Sequence, residues 1–272
     1  MNSNEKIIFN ETPCKVSTKG ILCEDNDLEL NKIKKIECNK IKCKNLLDLF
    51  IRTDNENLKK KYIKSLKQFG PSNSTEWLSN LDIDNVLIDW QKAYPNFYMH
   101  NFGMADNLIF FDNVINMLDE LFNKNNNFMI GTIVNTDNSM GSGIHWYAIL
   151  LSFDYNTKIF NIEYFNSSGE FISNKSNELK HWYNKSIELK NYIIEKYSNY
   201  IKNIKLVDVA NGKIYQKDDH SCGIYSLAYI WYRINNIPLN DFTMYKINFN
   251  DNLMLKFRKI FFIDKNILNI GG

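Results

Sequence analysis

The run "CGIYSLAYIWYRINN", Cys222 to Asn236, predicts a helix that is apolar on nearly every face. Ile224, Leu227, Ala228, Ile230 and Trp231 leave little side for solvent. Such a helix belongs in the middle of a domain, enclosed by other layers. It ends near Asn236, ahead of Pro238. The chain can enclose it: 272 residues, 44% hydrophobic, with 18 Phe and 15 Tyr, suffice for one large domain or for a core with an appendage.

The enclosing elements can be read from periodicity. "FMIGTIVN" predicts a strand rich in β-branched residues. "HWYAILLSF" and "KIFNIEYF" predict two more, joined by the polar turn "DYNTK". "NKSNELKHWYNKSIELKNYIIEKYS" is a long amphipathic helix, "NIKLVDVA" a strand and "DNLMLKFRKIFFI" a last helix. "TEWLSNLDIDNVLIDWQKAY" turns helical from about Ile83, with Asp82 or Asp84 as its cap. Ahead of the breaker "GPSNS", residues 1–70 form a Lys- and Asn-rich arm. "LELNKIKKIECNKIKCKNLLDLF" and "ENLKKKYIKSLKQF" read there as short amphipathic helices. The expected fold is α+β, a core of residues 71–272 behind a helical arm.

Several function classes drop away. A net charge of +2 gives no basic field for nucleic acid, and acids interleave with the arm's lysines. The longest apolar run, "WYAILLSF", is too short to span a bilayer, and "MNSNEKIIFN" lacks a signal-peptide layout. Five cysteines without a tight C-x-x-C pair fit reduced thiols in an intracellular setting, neither a disulfide scaffold nor a zinc site. No metal or organic cofactor is expected. The closing "NIGG" reads as an ordinary terminus.

Cys222 stands where a polar run meets the buried helix. At a helix N-terminus the dipole and unpaired N–H groups favour thiolate and lower its pKa. Gly223 lets the substrate or a neighbouring strand come close. Taken alone, Cys222 fits an ordinary buried cysteine equally well. A reactive thiol needs a base, and the four histidines differ in setting. His181 sits in a polar helix, His220 is local to Cys222, and His100 has no supporting context. His145 follows the flexible "NTDNSMGSG" and opens an apolar strand, a place suited to chemistry.

A count supplies the third member. If the two strands form a hairpin about Asn156, Phe153 pairs near Ile159 and position 145 falls opposite about 167. Asn166 is one residue away, able to accept Nδ1–H of His145 and leave Nε2 for the thiol. On its own Asn166 would pass as a turn residue. Gln216 is placed to donate its amide to a developing oxyanion beside the Cys222 N–H.

Together these stretches resemble the clan CE cysteine proteases, which include the SUMO-specific and adenovirus proteases, and most resemble their viral polyprotein-processing members. The matching segments are "WLSNLDIDNVLIDW", "GTIVNTDNSMGSGIHWYAIL", "IEYFNSSG", "SCGIYSLAYI" and "LKFRKIFF". The resemblance implies a central sheet flanked by helices, a triad of Cys222, His145 and Asn166, and Gln216 as oxyanion donor. It further implies cleavage after Gly-Gly in a narrow slot walled by Trp146, with Leu81 where relatives place a second Trp. Ser221 replaces the usual acid before the cysteine. The implied setting is processing of viral structural polyproteins in the host cytoplasm, viral factory or virion, with a polypeptide partner and no membrane or nucleic acid. Three rivals stay open: an isopeptidase for ubiquitin-like tails, an acetyltransferase on the same thiol, and a non-catalytic binding module.

Overall fold

Residues Trp146–Asp154 are apolar almost from end to end because both faces of the strand they form are covered. The computed structural model describes residues 14–17, 20–23, 68–72, 75–172 and 177–263. Its strands are β1 (Cys14–Ser17), β2 (Gly20–Cys23), β3 (Gln68–Phe69), β4 (Phe97–Met99), β5 (Gly103–Met104), β6 (Phe128–Asn135), β7 (Trp146–Asp154), β8 (Ile159–Phe165), β9 (Asn203–Asp208) and β10 (Phe262–Ile263). Its helices are α1 (Asn80–Ala93), α2 (Ile109–Asn123), α3 (Asn177–Tyr197), α4 (Cys222–Ile234), α5 (Leu239–Thr243) and α6 (Asp251–Phe261).

A six-stranded mixed sheet runs in the order β4-β6-β7-β8-β9, with β5 also on β6. β6, β7 and β8 are antiparallel neighbours, and β4 and β9 join the outside in parallel. Alternation along β7 sorts its side chains to two cores. Trp146, Ala148 and Leu150 pack on one face with α4, α1 and α6. Tyr147, Ile149 and Leu151 pack on the other with α2 and α3. All 13 residues of α4 are buried, Arg233 among them, as an all-round apolar helix requires. The α+β fold is the one expected.

The register differs from the expected one by a residue. Phe153 pairs with Phe160, not Ile159. Asp154 Oδ1 accepts the N–H groups of Asn156 and Thr157, and Lys158 takes a positive φ of 57° to close a four-residue turn. The cap of α1 also moves. Ser79 is the N-cap and Asp82 answers it as the reciprocal member of a capping box, three residues before the expected start. Asp84 instead accepts the Phe102 N–H at 2.7 Å. β4, β5, α2 and α5 were not anticipated from sequence. For α2 the signal was present: Phe110, Phe111, Val114, Leu118, Leu121 and Phe122 recur at helical spacing and are buried.

The helices expected in the arm lie largely outside the described residues. Within residues 1–70, β1 and β2 pair antiparallel, and Gln68–Phe69, expected as a helix end, pair in parallel with Phe262–Ile263. No described helix is long and apolar enough to cross a membrane.

Candidate active site

His145 immediately precedes β7, and the loop that delivers it is tied down rather than loose. Asn135, buried at the end of β6, accepts the N–H groups of Asp137 at 2.9 Å and Ile144 at 3.0 Å through Oδ1. Asp137 Oδ2 accepts the Gly143 N–H at 3.0 Å, and Ser139 donates to Asp106 through both backbone and hydroxyl. Gly143 adopts φ +90°, and a Cβ there would stand 3.0 Å from the Asn135 amide. The glycine is therefore needed for the loop to fold back on Asn135. The flexible loop expected from sequence is thus a hydrogen-bonded one.

Asn166 follows the last residue of β8 and is 8% exposed. Its Oδ1 lies 2.8 Å from Nε2 of His145 and also accepts the N–H and hydroxyl of Ser168. Its Nδ2 donates to the Glu170 carbonyl at 3.2 Å. An amide oxygen only accepts, so the ring nitrogen facing it carries the proton. The expected roles of the two nitrogens are exchanged: Nε2 is held by Asn166, and the basic lone pair belongs to Nδ1. The chemistry needs one nitrogen protonated and oriented and the other basic, and both arrangements provide that.

Cys222 is the first residue of α4 and 1% exposed. Burial raises its thiol pKa above the ordinary value, outweighing the backbone N–H groups of Trp146, Gly223 and Cys222 itself, which favour thiolate. The Asp218 charge adds to the rise. The expectation of a lowered pKa is corrected. The helix terminus acts in the predicted direction, but desolvation is larger. The Trp146 N–H pointing at the sulfur brings the strand that begins after His145 against the start of α4. A second bond, from Ser226 Oγ to the Trp146 carbonyl at 3.3 Å, fastens the two.

Trp146 is buried. Its indole donates to the Leu78 carbonyl at 3.2 Å and its ring meets Phe102 edge-on. Leu78, which the sequence reading did not single out, also fills the space over Gly223. A Cβ on Gly223 would come within 3.1–3.3 Å of the Leu78 side chain. Leu78 is thus the close neighbour for which Gly223 makes room. Leu81, three residues on in the first turn of α1, is 68% exposed.

Gln216 is held at both ends of its amide. Ser167 Oγ donates to its Oε1 at 2.7 Å, and its Nε2 donates to the Asp218 carbonyl at 2.9 Å and to Oδ1 at 3.2 Å. Neither Ser167 nor Asp218 was assigned to the site from sequence, since a serine in "FNSSG" looks like a turn residue and the three adjacent residues of "DDH" seldom converge on one metal ion. Arg258 of α6, fully buried, reaches the His220 carbonyl at 3.0 Å and the Pro71 carbonyl at 3.3 Å, so it fastens the segment before α4 to the segment before α1.

Residues 115–269, more than half of the chain, match the Ulp1 protease family, C-terminal catalytic domain. The chain belongs to this family of cysteine proteases. His145, Asn166, Gln216 and Cys222 all fall in the matched span, whereas Leu78 and Leu81 precede it. Viral proteins are among its relatives. A protein of Acanthamoeba polyphaga mimivirus that carries the name of a thiol protease is 29% identical over 188 residues, 67% of this chain and 56% of the relative. This chain therefore spans little more than half of that relative's length. A SUMO-1 cysteine protease of African swine fever virus is 28% identical over 214 residues, 74% of this chain and 73% of the relative. The crystal structure of an African swine fever virus protease superposes with a TM-score of 0.59 at 22% identity, covering 93% of this chain and 96% of that one. The Ulp1-like core expected from sequence is the one observed.

Of the other histidines, His181 and His100 are placed apart from this chemistry, whereas His220 lies in the segment just before Cys222. His181 is exposed on α3 while its neighbour Trp182 is buried and donates to the Ala105 carbonyl. His100 bonds Asn113 and packs edge-on against Phe110. His220 pairs with Asp218 and Asp219.

Proposed function

We propose that the chain is a thiol endopeptidase that cleaves after Gly-Gly, with Cys222 as nucleophile, His145 as base, Asn166 as its orienter and Gln216 as oxyanion donor. The observation that carries the reading is the 2.8 Å bond between His145 and Asn166, formed at the end of the β7–β8 pair whose Trp146 N–H faces Cys222. Because burial keeps the thiol protonated, His145 takes the proton as Cys222 attacks the carbonyl carbon. The tetrahedral intermediate collapses to a thioester when His145 returns that proton to the leaving amine. Water, activated by the same imidazole, then releases the acid and the thiol. For Gln216 to serve the oxyanion, Asp218 must be satisfied by one of its two N–H bonds.

Trp146 walls the slot for the two glycines, with Leu81 lining it, while Gly223 makes room for Leu78 beside it. A slot that passes no Cβ filters for glycine. The substrate is a viral structural polyprotein processed during virion maturation, and residues 1–70 act as an arm to a core of residues 71–272. A ubiquitin-like tail is the second substrate reading, supported by the SUMO-1 protease name of the swine fever relatives.

Incubation with Gly-Gly-Xaa peptides tests the proposal. Wild type cleaves after the second glycine and Cys222→Ala does not. Equal cleavage by both, or none by wild type, overturns it. A SUMO vinyl-sulfone probe that labels Cys222 where Gly-Gly-Xaa polyprotein peptides are not cut would favour the second reading.

A further inference from the structure

Four residues before Cys222, one carboxylate collects most of the hydrogen bonds that shape the nucleophile loop. Asp218 Oδ1 accepts the backbone N–H of Ser221 at 2.9 Å and of His220 at 3.2 Å, and Oδ2 accepts the Ser221 hydroxyl at 2.6 Å. Gln216 Nε2 donates to the same residue, to its carbonyl and to Oδ1. The segment before the nucleophile thus leans on this side chain, and the amide that would face the oxyanion is held by the same residue through its carbonyl and Oδ1. From the opposite side, the Ser167 hydroxyl donates to Gln216 Oε1. A donor at one end and acceptors at the other leave the amide one orientation. Ser167 is fully buried and follows Asn166 directly, so the orienter of His145 and the anchor of Gln216 are adjacent residues.

We propose that Asp218 is a positioning residue of the active site, holding the Gln216 amide and the Cys222 end of α4 in one fixed arrangement through its hydrogen bonds. The assignment rests on the roles given above to Cys222 and Gln216. Its contribution is geometric, because its charge works against the nucleophile. The negative carboxylate opposes the Cys222 thiolate. The titratable groups around it are His220, whose Nε2 lies 3.4 Å from Oδ2, Arg258 on α6, and Cys222 and Tyr225 on α4. Burial works to raise the Asp218 pKa, but the Ser221 and His220 hydrogen bonds outweigh it and hold the group ionised.

Geometry and charge separate in two variants. Asp218→Asn keeps the Oδ1 acceptor for Ser221, His220 and Gln216, and its amide can donate to the Ser221 hydroxyl. Asp218→Ala removes all of these side-chain bonds. On a Gly-Gly-Xaa peptide, kcat of Asp218→Ala falls about tenfold or more with KM nearly unchanged, approaching the loss of about 10²–10³ that removing an oxyanion donor brings. Asp218→Asn recovers most of that loss. In Asp218→Asn, site-resolved iodoacetamide alkylation of Cys222 shows its titration displaced to lower pH, because the opposing charge is gone while the hydrogen bonds that set kcat remain. Should Asp218→Ala fail to fold, as read by its thermal melt, Asp218→Asn carries the test alone: kcat within about threefold of wild type together with the displaced titration supports the assignment. It is overturned if a folded Asp218→Ala stays within about twofold of wild type, if Asp218→Asn is impaired as severely as Asp218→Ala, or if the titration does not move. Cleavage by Cys222→Ala equal to wild type would overturn the underlying site reading and this assignment with it.

Discussion

The burial that fixes the sulfur of Cys222 also keeps its proton on. With a thiol pKa raised by desolvation, Cys222 alkylation by iodoacetamide should titrate above 9.0, the value of an unperturbed thiol. A midpoint below 9.0, read by mass spectrometry of the Cys222 peptide, would contradict this. The linkage has a definite sign. The folded state prefers the protonated form, so this contribution to stability is present below the unfolded pKa and is lost as pH rises through the folded one. At Asn166, Asn166→Ala frees the His145 ring from its acceptor. We expect kcat to drop by about 10²-fold, the lower end of what a positioned general base contributes, with KM little changed. A loss confined to KM would deny Asn166 its orienting role. Asn166 was legible in the sequence because strand pairing is arithmetic: any residue just past β8 must come near any residue just before β7. The ring nitrogen that it meets was not legible, since that depends on a side-chain torsion. Nor was the balance at Cys222, where the helix terminus can be read from sequence but the depth of burial cannot.

Among the elements, α4 was the most legible, because a helix without a polar face has only one environment available to it. Its first turn carries a testable constraint. Gly223→Ala adds a methyl within 3.1–3.3 Å of Leu78 while removing the helix penalty of glycine, about 0.5–1 kcal/mol. The two effects offset in stability, but the displaced Leu78 carries the carbonyl that holds the Trp146 indole. Gly223→Ala should therefore melt within a few degrees of wild type, on the order expected for about 1 kcal/mol, and show a raised KM for Gly-Gly peptides. A melt close to wild type with unchanged KM would show that Leu78 yields without disturbing Trp146. The β7–β8 register was missed by one residue for a local reason. The Asp154 side chain and the left-handed Lys158 make a four-residue turn where symmetry about Asn156 was assumed. Asn166 and His145 still meet, since side chains at the open end of a hairpin reach diagonally as well as straight across.

At the scale of the whole molecule, α4 is fastened at both ends. Near Cys222 it meets the Trp146 backbone. Eleven residues on, about 16 Å along the helix, Arg233 forms a two-pronged bond with Glu163 of β8 at 2.8 Å for each contact. Glu163 is fully buried and also accepts from Ser152 and Tyr229. Arg233→Ala would leave that carboxylate buried without its countercharge and should cost about 3–5 kcal/mol, measured by denaturant unfolding. Glu163→Gln combined with Arg233→Met should recover much of the loss. A single variant as stable as wild type would show that the pair contributes nothing. Neither residue stood out in the sequence, because an acid in an otherwise alternating strand and an Arg near a helix end are both ordinary on a surface.

The sequence by itself determined the layered α+β core, most of the strands and helices around α4 but not β4, β5, α2 or α5, and the meeting of His145 with Asn166. Each follows from periodicity or from counting along paired strands, which depend only on chain order. Tertiary structure alone decided that the Cys222 thiol keeps its proton, that Leu78 closes over Gly223, and that Asp218 and Ser167 clamp Gln216. Those outcomes are sums over neighbours brought together from distant parts of the chain. Desolvation against helix-end donors, or methyl volume against a facing side chain, has no value until the fold has set the distances.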